Sequence, residues 1–274
     1  MTLLNSATWR SSPGVAQAVL ASSTQAAPAP LQVRWARHLD EVRAAQRLRF
    51  EVFQGEMGAQ LRTSVPGHDV DLFDDYCEHL LVSEGASGQV VGTYRVLTPV
   101  QAKRVGCFYS DTEFDLVRWR GLRDQVVELG RSCVHPDHRS GGVIMALWGA
   151  LAQFMQRNEL HIMMGCASIP MNAGGLSAGL AAASVWHQLK QSHMACESYR
   201  VRPRLPLPLE QYAPEAVQAV CFDSPSLIKG YLRLGAKVTG APAWDPDFQS
   251  ADLPMMMRLQ DMPARYRQHF LAAY

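Results

Sequence analysis

The stretch Val126–Val134 reads VVELGRSCV and runs on into His135, Pro136, Asp137, His138 and Arg139. Val126, Val127, Leu129, Cys133 and Val134 give it the apolar, β-favouring composition of a buried central strand. Two charges interrupt it, Glu128 and Arg131. In a regular strand they face opposite ways, because side chains alternate and the separation is odd. Gly130 lies between them. A glycine inside a strand often marks a bulge, and one extra residue there turns both charges to the same face. Spacing alone supports two readings: a structural ion pair at a sheet margin, or a charged site on a bulged strand.

Downstream, residues 141–158 have helical period, with Ile144, Leu147, Trp148, Leu151, Phe154 and Met155 on one face. Residues 160–168, LHIMMGCAS, then read as a second buried strand that stops at Pro170. Strand, helix and strand make a βαβ unit with the two strands parallel. Upstream, residues 79–83 and 89–97 flank the turn-like GASG of 85–88 and predict an antiparallel hairpin. Residues 31–36 alternate as a first strand. Asp40 is the expected cap of a helix over 41–54, with Val42, Leu48, Val52 and Phe53 as its apolar stripe. By periodicity alone Arg47, Arg49 and Glu51 belong to that helix's solvated face.

Asp69, Asp71, Asp74 and Asp75 crowd one polar segment, but it lacks the glycine turn and terminal glutamate of an EF-hand loop. It reads as an acidic surface loop. Residues 106–114 are loop-like. Arg118, Arg120 and Arg123 surround Trp119 in a segment that is either a docking surface or a turn whose tryptophan covers the core. Residues 176–194 predict a second amphipathic helix, and 200–208 a basic, proline-rich connection. Pro225 and Gly235 bracket a further helix. Late strands are expected at 236–238 and 254–257, and a last helix at 264–273. The order predicts a mixed α/β sheet with helices on both faces.

The chain has 274 residues, 47% apolar and 19% charged, which suits a folded domain rather than a disordered chain. Residues 1–30 read as a flexible leader rich in Ala, Ser, Gln and Pro; 31–274 read as one domain. The net charge of +1 supplies no global field for nucleic acid. The six cysteines form no CxxC pair, and a reducing compartment is the simplest setting. Nothing in the sequence marks Cys133 or Cys166 as an activated nucleophile. His135 and His138 have no evident third partner for a metal, so none is expected. No apolar run approaches the ~18 residues of a membrane span.

Taken together, these residues carry a resemblance. The chain resembles the bacterial ornithine N-acyltransferases that make lyso-ornithine lipid, within the carrier-protein-dependent branch of the GNAT-like acyltransferases. The resemblance rests on Arg95 in GTYR, Tyr109-Ser110 with Glu113-Phe114, ELGRSC at 128–133, Leu147-Trp148, GCAS at 165–168 and LIKGYLRLGA at 227–236. Asp245, Phe248 and Arg265-Tyr266 continue it. It implies a GNAT-like, mostly antiparallel central sheet with a splayed, bulged central strand. At fewer positions the chain is similar to the acyl-homoserine-lactone synthases, whose cleft is lined by a charged cluster. Arg49, Phe53, Asp71, Asp74, Arg95, Glu128 and Arg131 match that cluster in order and spacing, which favours the functional reading of Glu128 and Arg131.

The resemblance implies transfer of a (3-hydroxy) fatty acyl group from acyl carrier protein to the α-amine of ornithine. Glu128 is the expected base, because an ammonium must lose a proton before it attacks. Arg131 and backbone N–H groups near Gly130 stand beside it, the latter as donors to the oxyanion. Arg49, Phe53, Asp71, Asp74 and Arg95 are assigned to the amino acid, and Gly130, Ser132, Cys133, Trp148 and Ser168 to the acyl–pantetheine arm. No cofactor is implied beyond the acyl-phosphopantetheine of the donor. The turn at 139–144, RSGGVI, has two adjacent glycines rather than the spaced pattern that cradles a CoA pyrophosphate, which favours a carrier-protein donor. The implied setting is the cytoplasm, with peripheral contact at the inner face of the membrane. Two alternatives stay open: another N-acyl amino acid or acyl-homoserine-lactone synthase, and a non-catalytic lipid- or carrier-binding module.

Overall fold

Residues 80–82 show how the sheet is built. Leu80 and Val82 face one way, into a core with Val91, Leu147 and Leu253. Leu81 faces the other, into a cluster with Ala45, Leu48 and Val90. That is the period of two that a strand buried on both faces requires. A computed structural model of the chain describes residues 30–271. The expected leader, apart from Pro30, and the last two residues of the expected final helix lie outside the described residues.

The strands are β1 (Leu31–Trp35), β2 (Glu78–Glu84), β3 (Val90–Leu97), β4 (Phe114–Asp115), β5 (Val126–Val134), β6 (Ile162–Pro170), β7 (Arg202–Pro203), β8 (Lys237–Val238), β9 (Ala243–Asp245) and β10 (Ser250–Arg258). The α-helices are α1 (Leu39–Phe50), α2 (Pro99–Val105), α3 (Ser110–Glu113), α4 (Gly142–Arg157), α5 (Leu180–Ser192), α6 (Pro214–Val220), α7 (Ser226–Arg233) and α8 (Ala264–Leu271). Among the described residues the main sheet runs β1-β2-β3-β5-β6-β10-β8, with β9 on β10, and β4 pairs separately with β7. Pairing is antiparallel except between β5 and β6. The expected hairpin is β2-β3, and α4 is the helix of the βαβ unit. Helix α4 packs on one face of the sheet and α1 on the other.

Two irregularities in β5 make the site. The first is the bulge. Thr93 pairs with Cys133 and Arg95 with Gly130, so two residues of β5, Arg131 and Ser132, face the single Tyr94. The left-handed residue is Arg131 (φ 50°), not Gly130. A non-glycine held there is strained, a cost that recurs at functional sites. The second irregularity is a splay. β5 pairs with β6 only from Val126 to Glu128, opposite Ile162 to Met164. Beyond that point β6 pairs with β10 alone. A Cβ on Gly165 would lie 2.3 Å from the Leu129 carbonyl oxygen, at the apex of the split. Gly165→Ala must therefore move backbone, and we expect it to cost about 1–3 kcal/mol. An unchanged melting temperature would show that the apex is not close-packed.

Several elements differ from expectation. Helix α1 begins at Leu39, with His38 at its N-cap and no side-chain cap; Asp40 sits in the first turn. There it favours the positive end of the helix dipole. The helix continues as a π-helix over Glu51–Glu56, which carries Phe53 inward. Helix α2 has a capping box, Thr98 with Gln101, legible in the sequence as T-P-V-Q. Trp119 is buried and donates from Nε1 to the Tyr199 carbonyl at 2.9 Å, so that segment is a core-covering turn. Arg123 is bound to Asp111, and Arg118 to the Glu197 carbonyl.

Candidate active site

Glu128 is buried at the end of the short β5–β6 pairing. One carboxylate oxygen accepts the Tyr109 N–H at 2.6 Å. The other accepts the Ser110 N–H at 2.7 Å and the Ser110 hydroxyl at 2.5 Å. The segment that reads as a loop thus supplies the donors, at the first turn of α3. Burial raises the Glu128 pKa, against the hydrogen bonds from Ser110 and Tyr109. The result is a desolvated carboxylate more basic than an ordinary glutamate.

Arginines and aspartates interlock beside it. Arg49 is fully buried and reaches Asp69 Oδ2 and Asp74 Oδ1, each at 2.7 Å. Arg95 bonds Asp71 at 2.5 Å. Arg131 bonds the other oxygen of Asp71 at 2.9 Å, and its Nε lies 3.1 Å from Asp69 without hydrogen-bond alignment. On four of these groups burial opposes the charge and the pairing outweighs it. Asp74 and Asp71 titrate below their ordinary range, and Arg49 and Arg131 above theirs. The guanidiniums are also stacked: Arg131 lies 5.1 Å from the Tyr109 ring centre and 4.8 Å from that of Phe248. Three arginines thus answer three aspartates.

A cleft of about 210 Å³ opens over this floor. Phe53, Arg95, Glu128, Gly130, Arg131, Ser132 and Ser168 all line it, as expected. Behind it, in the wedge between β5 and β6, lies a chamber walled by Leu129, Trp148, Leu151, Phe270 and six methionines: Met163, Met164, Met255, Met256, Met257 and Met262. Cleft and chamber share Cys166, Ala167 and Tyr231. At that junction the Tyr94 and Tyr231 hydroxyls bond each other at 2.5 Å, and Trp148 Nε1 donates to Tyr94 at 3.3 Å.

Four expected contacts fall elsewhere. Arg49 and Asp74 lie beneath the cleft as buried braces, since each is used up by its partners. Asp71 lies on an adjoining depression, committed to two arginines. Cys133 points away from the cleft into the cluster with Ala45 and Leu48, because the bulge ends before it and alternation resumes. Burial pushes its thiol pKa up to about 12, which excludes a resting thiolate. Several cleft residues carry no expected role: Tyr109, Cys166, Tyr231, Asp245, Phe248 and Asp252. The first five fall in quoted motifs. Asp252 had a signal too, a charge inside the apolar run of β10, of the kind that singles out Glu128.

Comparison with known proteins places the chain in a family. The acetyltransferase (GNAT) domain family matches residues 48–149. An L-ornithine N(alpha)-acyltransferase of Rhodobacter capsulatus is 36% identical, covering 89% of this chain and 96% of its own length. One from Brucella abortus is 34% identical over 88% of each chain. Among solved structures, the CoA-dependent acyl-homoserine lactone synthase BjaI superposes with a TM-score of 0.53 at 15% identity, over 88% of each chain. That likeness is one of fold. The bulged and splayed central strand is therefore the strand of a GNAT-like acyltransferase fold, and with such identity along nearly the whole length of its relatives, this chain belongs to the L-ornithine N(alpha)-acyltransferase family of enzymes.

Proposed function

We propose that this enzyme moves a (3-hydroxy) fatty acyl group from acyl carrier protein to the α-amine of ornithine, giving lyso-ornithine lipid. The observation that carries this reading is the continuity of the cleft that holds Glu128 with the apolar chamber in the β5–β6 wedge. The acyl chain enters the chamber, where flexible methionine side chains accommodate it. Its thioester carbonyl lies at the junction. Glu128 takes a proton from the amine as the amine attacks. Backbone N–H groups of the bulge at Arg131 and Ser132 face the oxyanion, a donor type whose loss costs roughly 3 kcal/mol of barrier. Collapse forms the amide and breaks the C–S bond, and the proton held by Glu128 passes to the departing pantetheine sulfur, which leaves as the thiol. The thioester is already activated, so no acyl-enzyme is needed.

The donor assignment rests on the turn before α4. Gly141 (φ 105°) is the N-cap and makes no side-chain cap, so the first-turn N–H groups are suited to one phosphate. The nearby cation, Arg139, is held by Glu56 at 2.6 and 2.7 Å and donates to the Val134 carbonyl. That suits the single phosphodiester of phosphopantetheine better than the three phosphates of CoA. Acyl carrier protein should exceed the same acyl group on CoA by at least about 10-fold in kcat/KM. Equal use of both donors would refute the assignment. Arg118 and Arg123 precede β5, at the strand end opposite this turn, so docking does not depend on them. The product is an amphiphile, which is why the reading includes peripheral contact with a membrane. Among the described residues no helix is long and apolar enough to cross one.

A further inference from the structure

The acidic residues first assigned to the substrate are fully answered by Arg49, Arg95 and Arg131. Among the described residues a second carboxylate group makes no ion pair with any of them, although Arg131 faces Asp252. Asp245 and Asp252 line the cleft, and Glu113 lies beside Asp252. Atoms of Glu113, Cys166 and Asp252 lie within 4.8 Å of one another. Both Glu113 carboxylate oxygens are buried, and neither makes a hydrogen bond, although the Cys166 thiol and Tyr109 hydroxyl lie beside it. Asp252 Oδ1 accepts the Ser250 hydroxyl at 2.8 Å, and Asp245 Oδ1 accepts the Asp247 and Phe248 N–H groups at 2.8 and 3.0 Å. None of these donors is a cation. Burial and mutual repulsion push the Glu113 pKa well up and that of Asp252 up to about 6.

An unanswered carboxylate set on the wall of a binding cleft is complementary to a cation. A short chain of contacts links the set to Glu128. Ser110 Oγ bonds Glu128 and lies 3.7 Å from Cys166 Sγ, which belongs to the acidic group. The two nitrogens of extended ornithine are five bonds, about 6 Å, apart. An amino acid with its α-amine at Glu128 can thus extend its terminal ammonium towards Asp252 and Glu113.

We propose that Glu113, Asp245 and Asp252 seat the side-chain ammonium of the acceptor amino acid, and that they set its preference for ornithine. The proposal rests on the N-acyltransferase reading of the cleft. Asp252 provides the charge, and Glu113, whose ionisation burial opposes in the empty cleft, ionises against the incoming ammonium; Asp245, anchored by its backbone bonds, closes the seat from β9.

The test compares ornithine with norvaline, which has the same carbon chain without the terminal amine, using one acyl carrier protein donor. Wild type should favour ornithine by roughly 100-fold in kcat/KM. Glu113→Gln and Asp252→Asn should each reduce that ratio to about 10-fold or less, mainly through the KM for ornithine. With no ligand at pH 8 Asp252→Asn should melt higher than wild type, because it removes a buried charge that its neighbours repel. A pH series on wild type needs no variant. The groups facing Asp252 are Glu113, Tyr109, Arg131, Cys166 and Asp245. As pH falls through about 6, Asp252 gains a proton, so the KM for ornithine should rise relative to that for norvaline. Product from ornithine with an unchanged ratio in both variants, or a flat ratio across pH, would overturn the seat while leaving the N-acyltransferase reading intact. A stoichiometric metal retained through dialysis would assign the cluster to a metal and overturn it likewise. No product from any amine would overturn both.

Discussion

Glu128→Gln should lower kcat by about 100-fold or more, the lower end of what a lost general base costs. The substitution is not silent in structure. Glu128 accepts from Tyr109 and Ser110 on both oxygens, so a glutamine must turn its NH₂ towards one of those donors. We expect a loss of about 1–3 kcal/mol in stability as well. The pH profile separates the two effects. Norvaline is the acceptor of choice here, since it makes no demand on Asp252. With wild type, the acid limb of kcat/KM should report a carboxylate with a pKa above the ordinary 4.5, because burial outweighs the hydrogen bonds. The residual activity of the variant should lack that limb. A folded Glu128→Gln protein with near-normal kcat would exclude Glu128 as base and leave it as an anchor for α3.

Arg49→Ala should be the most destabilising single change, by about 3–5 kcal/mol. It leaves two buried carboxylates, Asp69 and Asp74, without their strongest partner. For a chain of this size that corresponds to a fall in Tm of roughly 10 °C. The pH dependence has a definite sign. Asp74 has a folded-state pKa well below its unfolded value, because Arg49 outweighs burial. Its stabilising contribution is full above the unfolded value near 3.9 and declines as pH falls below it. Wild type and Arg49→Ala should therefore converge in stability on acidification below about pH 4. Unfolding in urea at pH 7 and at pH 3.5 measures both. A cost below about 1 kcal/mol at pH 7 would mean that water answers Asp69 and Asp74.

The central strand was legible because its signals were local. A glycine and two charges inside an apolar run predict a bulge, and the bulge places Glu128 and Arg131 on one cleft. The position that takes the strained conformation was not legible, since the sequence offers Gly130 and the strand uses Arg131. Arg49 shows why periodicity misleads for paired charges. It lies beside Leu48 on a helix and reads as solvated, yet it is buried because Asp69 and Asp74, 20 and 25 residues away, converge on it. The same closure hid the acceptor site. Asp71 and Asp74 have the family spacing and so attract the substrate reading, whereas the carboxylates left unanswered come from three separate segments, α3, β9 and β10. Glu113 and Asp252 are 139 residues apart, and only the packing of α3 against the sheet brings them together.

The most direct measurement is mass spectrometry of the product made by the purified enzyme from long-chain 3-hydroxyacyl carrier protein and ornithine. Fragmentation locates the acyl group on one nitrogen or the other. The expected product is an amide at the α-nitrogen with the terminal amine free. Acylation at the terminal nitrogen, a lactone from an added aminobutyrolactone precursor in preference to ornithine, or no amide product at all would contradict it.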